Sequence, residues 1–145
     1  MYFDTTLLAK QYLKEPDSEK ARIFLAHANR VPFSSELSRM ELAAAFHRKL
    51  RESQITADQL AALRLQFEFD VSDGRIQWLP LTRSIIERVE RAFLKFPGNV
   101  YLRTGDAIHL ATASDSGFKE IYSNDRHLLA AATLFKLKGI NPLAK

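Results

Sequence analysis

Cysteine is absent from this sequence. That excludes a disulfide framework and a thiolate metal site, and it suits a reducing compartment. Long hydrophobic runs are absent too. The longest uncharged apolar stretches, such as Leu128 to Phe135, are far too short to span a bilayer, so no membrane association is expected. No leader-like segment precedes Asp4, which makes the cytoplasm the expected compartment. Repeats, low-complexity tracts and linkers are also missing. A chain of 145 residues can bury a real core, so one domain over residues 1–145 is expected.

Charge of one sign is scarcely in excess: 21 Lys and Arg stand against 17 Asp and Glu, a net of +4. A solvated surface accounts for that balance. If several acids gathered around a cation, however, the remaining surface would be more basic than the total suggests, and a polyanionic partner would fit it.

What is present is an alternation of short strands and helices. Met1 to Asp4 reads as a short strand, and Thr5-Thr6 opens a helix that Pro16 ends. A second helix covers Glu19 to Ala28, and Val31-Pro32-Phe33 reads as a strand leading to Ser34-Ser35. Helices are expected over Glu36 to Arg51, Asp58 to Phe69 and Ile85 to Phe96, with a strand at Ile76 to Leu79 between the last two. A loop ending in Thr104-Gly105 delivers Asp106 to an Ala-rich helix reaching about Ser116. A strand over Glu120 to Ser123, a helix from Asp125 and a strand over Leu137 to Asn141 complete the chain. Such alternation argues α/β with a mostly parallel sheet.

Four acids sit at comparable junctions. Asp4 ends the first strand, Asp106 opens its helix, and Asp125 follows the strand Ile121-Tyr122-Ser123. Glu41 lies one to two turns into the third long helix. In a parallel α/β sheet the strand C-termini and helix N-termini share one edge, where ligand sites occur. Each acid taken alone reads as a helix cap or dipole partner, and Glu41 could close a capping box with Ser38. Four on one edge would repel one another unless a cation or raised pKa values relieved them. Oxygen donors without thiolate suit Mg²⁺ or Mn²⁺ rather than zinc. Hydroxyls at Thr5, Thr6 and Ser123 can bond a carboxylate, a water or a phosphate, and capping is the alternative for Thr6. Arg103 and Arg126 flank Asp106 and Asp125. Either a forked contact to substrate phosphate or a salt bridge to the acids would employ them. His109 shares a helix face with Asp106, where packing or support of the site is expected rather than ligation.

The motifs YFDTTLLAKQYL, SSELSRMELAAAFHRKL, LRTGDAIHLATA and YSNDRHLLAAA, in that order, resemble the PIN domain, and most closely the VapC-type toxins of bacterial toxin–antitoxin pairs. The resemblance covers nearly the whole chain. It implies a three-layer α/β/α fold with a short, mostly parallel central sheet. It implies a Mg²⁺- or Mn²⁺-dependent endoribonuclease in which Asp4, Glu41, Asp106 and Asp125 are the catalytic acids and metal ligands. Thr5, Thr6 and Ser123 stand at supporting positions, with Thr6 where the family carries Ser. Family membership of this kind also implies an RNA substrate, a homodimer and a cognate antitoxin, whose tail lies near the third and fourth helices and could meet apolar side chains such as Phe67 or Phe69. Two other readings compete. One is a non-catalytic RNA- or protein-binding PIN module using the same pocket. The other is a phosphatase forming an aspartyl-phosphate at Asp4, which would ordinarily need a second Asp where Thr6 stands.

Overall fold

A computed structural model of the chain describes residues 1–144, and Lys145, the last residue of the expected domain, lies outside them. Five short strands form one parallel sheet: β1 (Tyr2–Phe3), β2 (Phe33–Ser35), β3 (Gln77–Leu79), β4 (Glu120–Tyr122) and β5 (Lys138–Ile140). Their order is β3-β2-β1-β4-β5, so the shortest strand is the central one. The chain builds outward from β1 on one side through β2 and β3, then returns to build outward on the other side through β4 and β5. The reversal lies between β1 and β4.

Seven helices cover the sheet: α1 (Thr5–Tyr12), α2 (Ser18–Ala28), α3 (Leu37–Arg51), α4 (Ala57–Ser72), α5 (Arg83–Lys95), α6 (Thr104–Asp115) and α7 (Arg126–Ala131). Successive residues of a strand face opposite sides of a sheet, and β1 divides the protein accordingly. Tyr2 joins a core with Ile85, Val89, Leu110, Ile121, Leu128 and Phe135, from α5, α6, α7 and the residues after it. Phe3 joins a second core with Leu7, Leu8, Leu13, Leu42 and Phe46, from α1 and α3. The result is the expected three-layer α/β/α arrangement.

Two boundaries differ from expectation. The second strand is Phe33–Ser35, two residues later than Val31 to Phe33. Pro32 has no N–H to give to a ladder, and the parallel pairing with β1 starts where Phe33 N–H reaches Met1 O at 2.8 Å. Ser34 and Ser35 are wholly buried despite being polar, and the Ser34 hydroxyl donates to Phe3 O at 2.7 Å. The helix after the long loop begins at Thr104, so Asp106 lies inside its first turn and not ahead of it.

Close packing of small residues fixes the layers. Ala107, Ala111 and Ala113 of α6 are fully buried. On the far side, Gly139 in β5 lies against α7: a Cβ there would stand 2.9 Å from Leu129 Cδ2, 3.0 Å from Leu129 O and 3.1 Å from Leu129 Cα. Backbone cannot yield as a side-chain tip can. Gly139→Ala is therefore expected to destabilise the fold by about 1–3 kcal/mol, the range for overpacking a tight contact, measured as a lower urea midpoint with an unchanged slope.

Candidate active site

The carboxyl ends of β1 and β4 lie side by side at the point where the sheet's build direction reverses. Asp4 N–H donates to Tyr122 O at 3.1 Å, carrying the ladder one step past β1 and bringing the residues after both strands together. This is the position at which open α/β sheets hold ligands.

Asp4 is 2% exposed. Its Oδ1 accepts from Leu7 N–H at 3.1 Å, capping α1. The Thr6 hydroxyl lies 2.8 Å from both carboxylate oxygens, and the Ser123 hydroxyl donates to Oδ2 at 2.6 Å. Burial pushes the Asp4 carboxyl above its ordinary value, against the opposing pull of His109 and of these hydrogen bonds. Removal from water opposes the charge more strongly than the neighbours favour it.

Ser123 also joins Asp4 to Asp125, because its Oγ accepts from Asp125 N–H at 2.9 Å. Asp125 caps α7: its Oδ1 accepts from His127 N–H at 2.8 Å and Leu128 N–H at 3.3 Å. That leaves Oδ2, which receives a hydrogen bond from Arg103. The same guanidinium grips Asp106 with a fork, Nε to Oδ2 at 2.8 Å and an Nη to Oδ1 at 3.2 Å. Arg103 thus places one positive charge between two acids. Asp106 itself is 8% exposed.

Glu41 enters from α3. Its Oε2 is contacted by the Thr5 hydroxyl and lies 3.0 Å from His109 Nε2. Burial pushes its carboxyl upward, but the hydrogen bond and charge of His109, the Thr5 hydroxyl and Arg103 outweigh that and hold it below the ordinary range. Its Oε1 points at Gly105, where a Cβ would stand only 2.9 Å away. The missing side chain at Gly105 therefore leaves the room that this oxygen uses. The capping box with Ser38 does not form. The Ser38 hydroxyl pairs with Ser34 at 2.7 Å and Thr5 at 2.8 Å instead.

Asp4, Glu41 and Asp106 line a single open cavity of about 640 Å³, together with Thr5, Thr6, His109 and Arg103. Asp125 stands behind it, linked through Ser123 and Arg103. Arg126 is exposed and its Nε meets His127 Nε2 at 3.3 Å, away from the cavity lining. The cavity is also lined by Arg48 and Arg51 of α3, basic residues of a last turn that suit the helix dipole as well. Helical spacing was the available signal: Arg48 lies seven residues, two turns, beyond Glu41 and hence on its face. His109 is buried against Glu41, in the supporting role expected of it.

The donor chemistry fits a hard divalent cation. The groups are carboxylates and hydroxyls, one acid is almost completely desolvated, and a guanidinium already neutralises two others. Among the described residues, no three Asp, Glu or His side chains are grouped closely enough, as placed, to hold one ion. Arg103, lying across Asp106 and Asp125, is the evident reason those two acids face a cation of the chain's own.

Comparison with known proteins agrees with this architecture. A family model described as the PIN domain matches residues 1–134. Among solved structures, the chain is similar to VapC20 of Mycobacterium tuberculosis, a sarcin–ricin loop cleaving toxin. That match has a TM-score of 0.70 at 16% identity, covering 90% of this chain and 93% of that one. It is similar to FitAcB from Neisseria gonorrhoeae, TM-score 0.71 at 15% identity, covering 97% and 96%. A structure of FitAB bound to an IR36 DNA fragment matches with TM-score 0.71 at 14% identity, covering 99% and 96%. At these identities the likeness shows the fold. No curated protein matches the sequence significantly.

The burial of Asp4 has a measurable consequence. A carboxyl whose folded pKa lies above its unfolded value favours folding below the unfolded pKa, near 3.8, and loses that contribution as pH rises through the folded value. Asn at this position cannot ionise and can still cap α1. In chelator at neutral pH, Asp4→Asn is expected to melt above wild type. The gap should close as pH falls towards the ordinary carboxyl range, as followed by thermal melts across pH.

Proposed function

The chain belongs to the PIN-domain family, and from that premise we propose that it is a Mg²⁺- or Mn²⁺-dependent endoribonuclease, the toxin of a toxin–antitoxin pair. The observation that carries this reading is the convergence of Asp4, Glu41 and Asp106, from three separate elements, on one cavity at the sheet's reversal point, with Asp125 tied to them. Asp4 and Asp125 also cap helices, but capping does not require three acids on one cavity, and like charges brought near one another oppose folding unless something offsets them.

In this reading Asp4, Glu41, Asp106 and Asp125 are the groups that hold the cation. A bound divalent ion supplies activation of water and neutralisation of charge on a phosphoryl oxygen. The chain's own residues do the rest. Ser123 and Thr6 fix the Asp4 carboxylate, and Thr5 and His109 fix Glu41. Arg48, Arg51 and Arg103 ring the cavity with positive charge that suits the phosphates of a polyanion. Water attacking in line, with the 3′ oxygen leaving, would yield a 5′-phosphate and a 3′-hydroxyl.

The partner side of the proposal rests on α3 and α4. They enclose a second cavity of about 410 Å³ lined by Ala43, Phe46, Leu60 and Phe67, with Arg39, Arg64 and Glu68 at its edge. Met40, next to Arg39 on α3, is 59% exposed. Apolar side chains in a polar-rimmed groove suit an amphipathic segment of an antitoxin. We place the toxin in a homodimer and in the cytoplasm. Among the described residues, no helix is long and apolar enough to cross a membrane.

The direct test is RNA cleavage by purified protein with Mg²⁺ or Mn²⁺. Asp4→Asn and Asp106→Asn should each lower the rate at least ~100-fold while remaining folded, and excess chelator should abolish it. Undiminished cleavage under either condition would refute the reading. RNA binding without cleavage at any metal concentration would favour a non-catalytic module instead. A separate expectation concerns Arg103, which shares Asp106 and Asp125 with the cation. Arg103→Ala should bind Mn²⁺ about 3- to 10-fold more tightly in titrations without RNA, since a competing pair worth about 1 kcal/mol is removed.

A further inference from the structure

The acid best supplied with buried neighbours is Glu41, and those neighbours form a line. Tyr2, wholly buried in β1, has its hydroxyl 2.9 Å from His109 Nδ1. His109 is 2% exposed, and its other ring nitrogen lies 3.0 Å from Glu41 Oε2 and 3.1 Å from Thr5 Oγ1. Tyr2 therefore reaches from the sheet, through an imidazole, to the edge of the cavity.

For a neutral imidazole, the donors and acceptors in that line lead to one assignment. A carboxylate only accepts hydrogen bonds, so the Nε2 that meets Glu41 carries a hydrogen. At the other end, Ser35 N–H donates to the Tyr2 oxygen at 3.2 Å, which leaves the phenolic O–H to be donated elsewhere. Burial keeps that phenol protonated. Nδ1 lies within its reach, and in a neutral imidazole whose Nε2 carries the hydrogen Nδ1 is bare. The Glu41 end therefore names the tautomer and the Tyr2 end is compatible with it; the two ends are 33 and 68 residues away along the chain from Tyr2 and His109 respectively.

We propose that Tyr2 and His109 are a pair of positioning residues: the Tyr2 hydroxyl anchors the His109 ring at its bare Nδ1, and the Nε2–H of that ring holds Glu41 Oε2 so that only Oε1 stays free beside Gly105. In this role both act through Glu41: Tyr2 lies behind His109, and His109 reaches the cavity wall. The consequence for the cation rests on the reading of Glu41 as a ligand, whereas the tautomer does not. A carboxylate with one oxygen tied down presents a single oxygen at a fixed place, and such outer partners commonly change metal affinity 10- to 100-fold when removed. Without the Tyr2 hydroxyl the buried Nδ1 loses its hydrogen-bond donor and the ring loses its anchor on the sheet.

The tautomer can be read directly. Long-range ¹H–¹⁵N spectra of the ¹⁵N-histidine-labelled, metal-free full chain at mildly alkaline pH resolve which nitrogen is protonated. With four histidines in the chain, His109→Gln identifies the signal. The expected result is a protonated Nε2 and a bare Nδ1 in wild type, with the Nδ1 resonance displaced in Tyr2→Phe as its hydrogen bond is lost. A wild-type His109 protonated at Nδ1, or a Tyr2→Phe spectrum identical to wild type, would overturn the proposal. In Mn²⁺ titrations without RNA, His109→Leu should weaken binding ~10-fold or more, and His109→Gln, whose amide N–H can still reach the carboxylate, should restore most of it. Equal affinity in wild type and His109→Leu would overturn it. Should His109→Leu fail to fold, Tyr2→Phe carries both arms and is expected to weaken Mn²⁺ binding several-fold. Wild-type protein that takes up no Mn²⁺ would count against the nuclease reading itself, and the nitrogen spectrum distinguishes that failure from a failure of the pair.

Discussion

The desolvation of one carboxylate organises this protein. Asp4 follows the central strand directly, and its backbone belongs to the ladder with β4. Its side chain is consequently almost wholly removed from water, meeting it only at the cavity wall. A buried ionised carboxylate is tolerated only when hydrogen bonds and a nearby positive charge replace water. The chain provides the hydrogen bonds from three places: Leu7 N–H from the helix that Asp4 itself caps, Thr6 from the same turn, and Ser123 from a strand end 119 residues away. Those partners account for much of the geometry around them. Ser123 is turned inward to meet Asp4, and by accepting from Asp125 N–H it sets where α7 begins. The first turns of two helices are thus registered to one side chain.

The positive side of the balance is shared more loosely. Arg103 lies across Asp106 and Asp125 while remaining largely exposed, a combination that gives modest pairing energy and easy exchange. Glu41 takes the opposite course. It is held from within by His109 and Thr5, both anchored in the α/β/α frame, and its free oxygen fills a space that only glycine at 105 leaves open. One cavity therefore has an acid held from within on one wall, and at and behind the other a pair that an exposed guanidinium screens.

Much of the frame was legible in the sequence, for identifiable reasons. Strong local signals survive into the structure: Thr82 caps α5, Thr56 caps α4 with Gln59 completing a box, and Pro16 separates α1 from α2. The β–α alternation announces a parallel sheet, because parallel neighbours need crossovers. Legibility failed where polar residues are buried. Ser34 and Ser35 look like a loop, yet they are strand because backbone and hydroxyl partners await them in β1 and α3. Arg48 and Arg51 look like ordinary dipole partners, and only the packing of α3 against α1 and α6 brings their face to the cavity.

The sequence by itself determined the inventory and the edge. Four acids lie at junctions where parallel topology sends strand ends and helix starts the same way, no cysteine competes as a ligand, and the motif order marks the family. That information is local, carried by caps, breaks and periodicity within about ten residues. What only tertiary structure decided is how each acid is occupied. Arg103 adjoins Asp106 in sequence, but its hold on Asp125 spans 22 residues. The Tyr2–His109 contact spans 107 and the Ser123–Asp4 contact 119. Such pairings follow from strand order and layer packing, which no window of sequence contains. The burial that makes Asp4 costly is likewise a property of the closed sheet and its two covering layers.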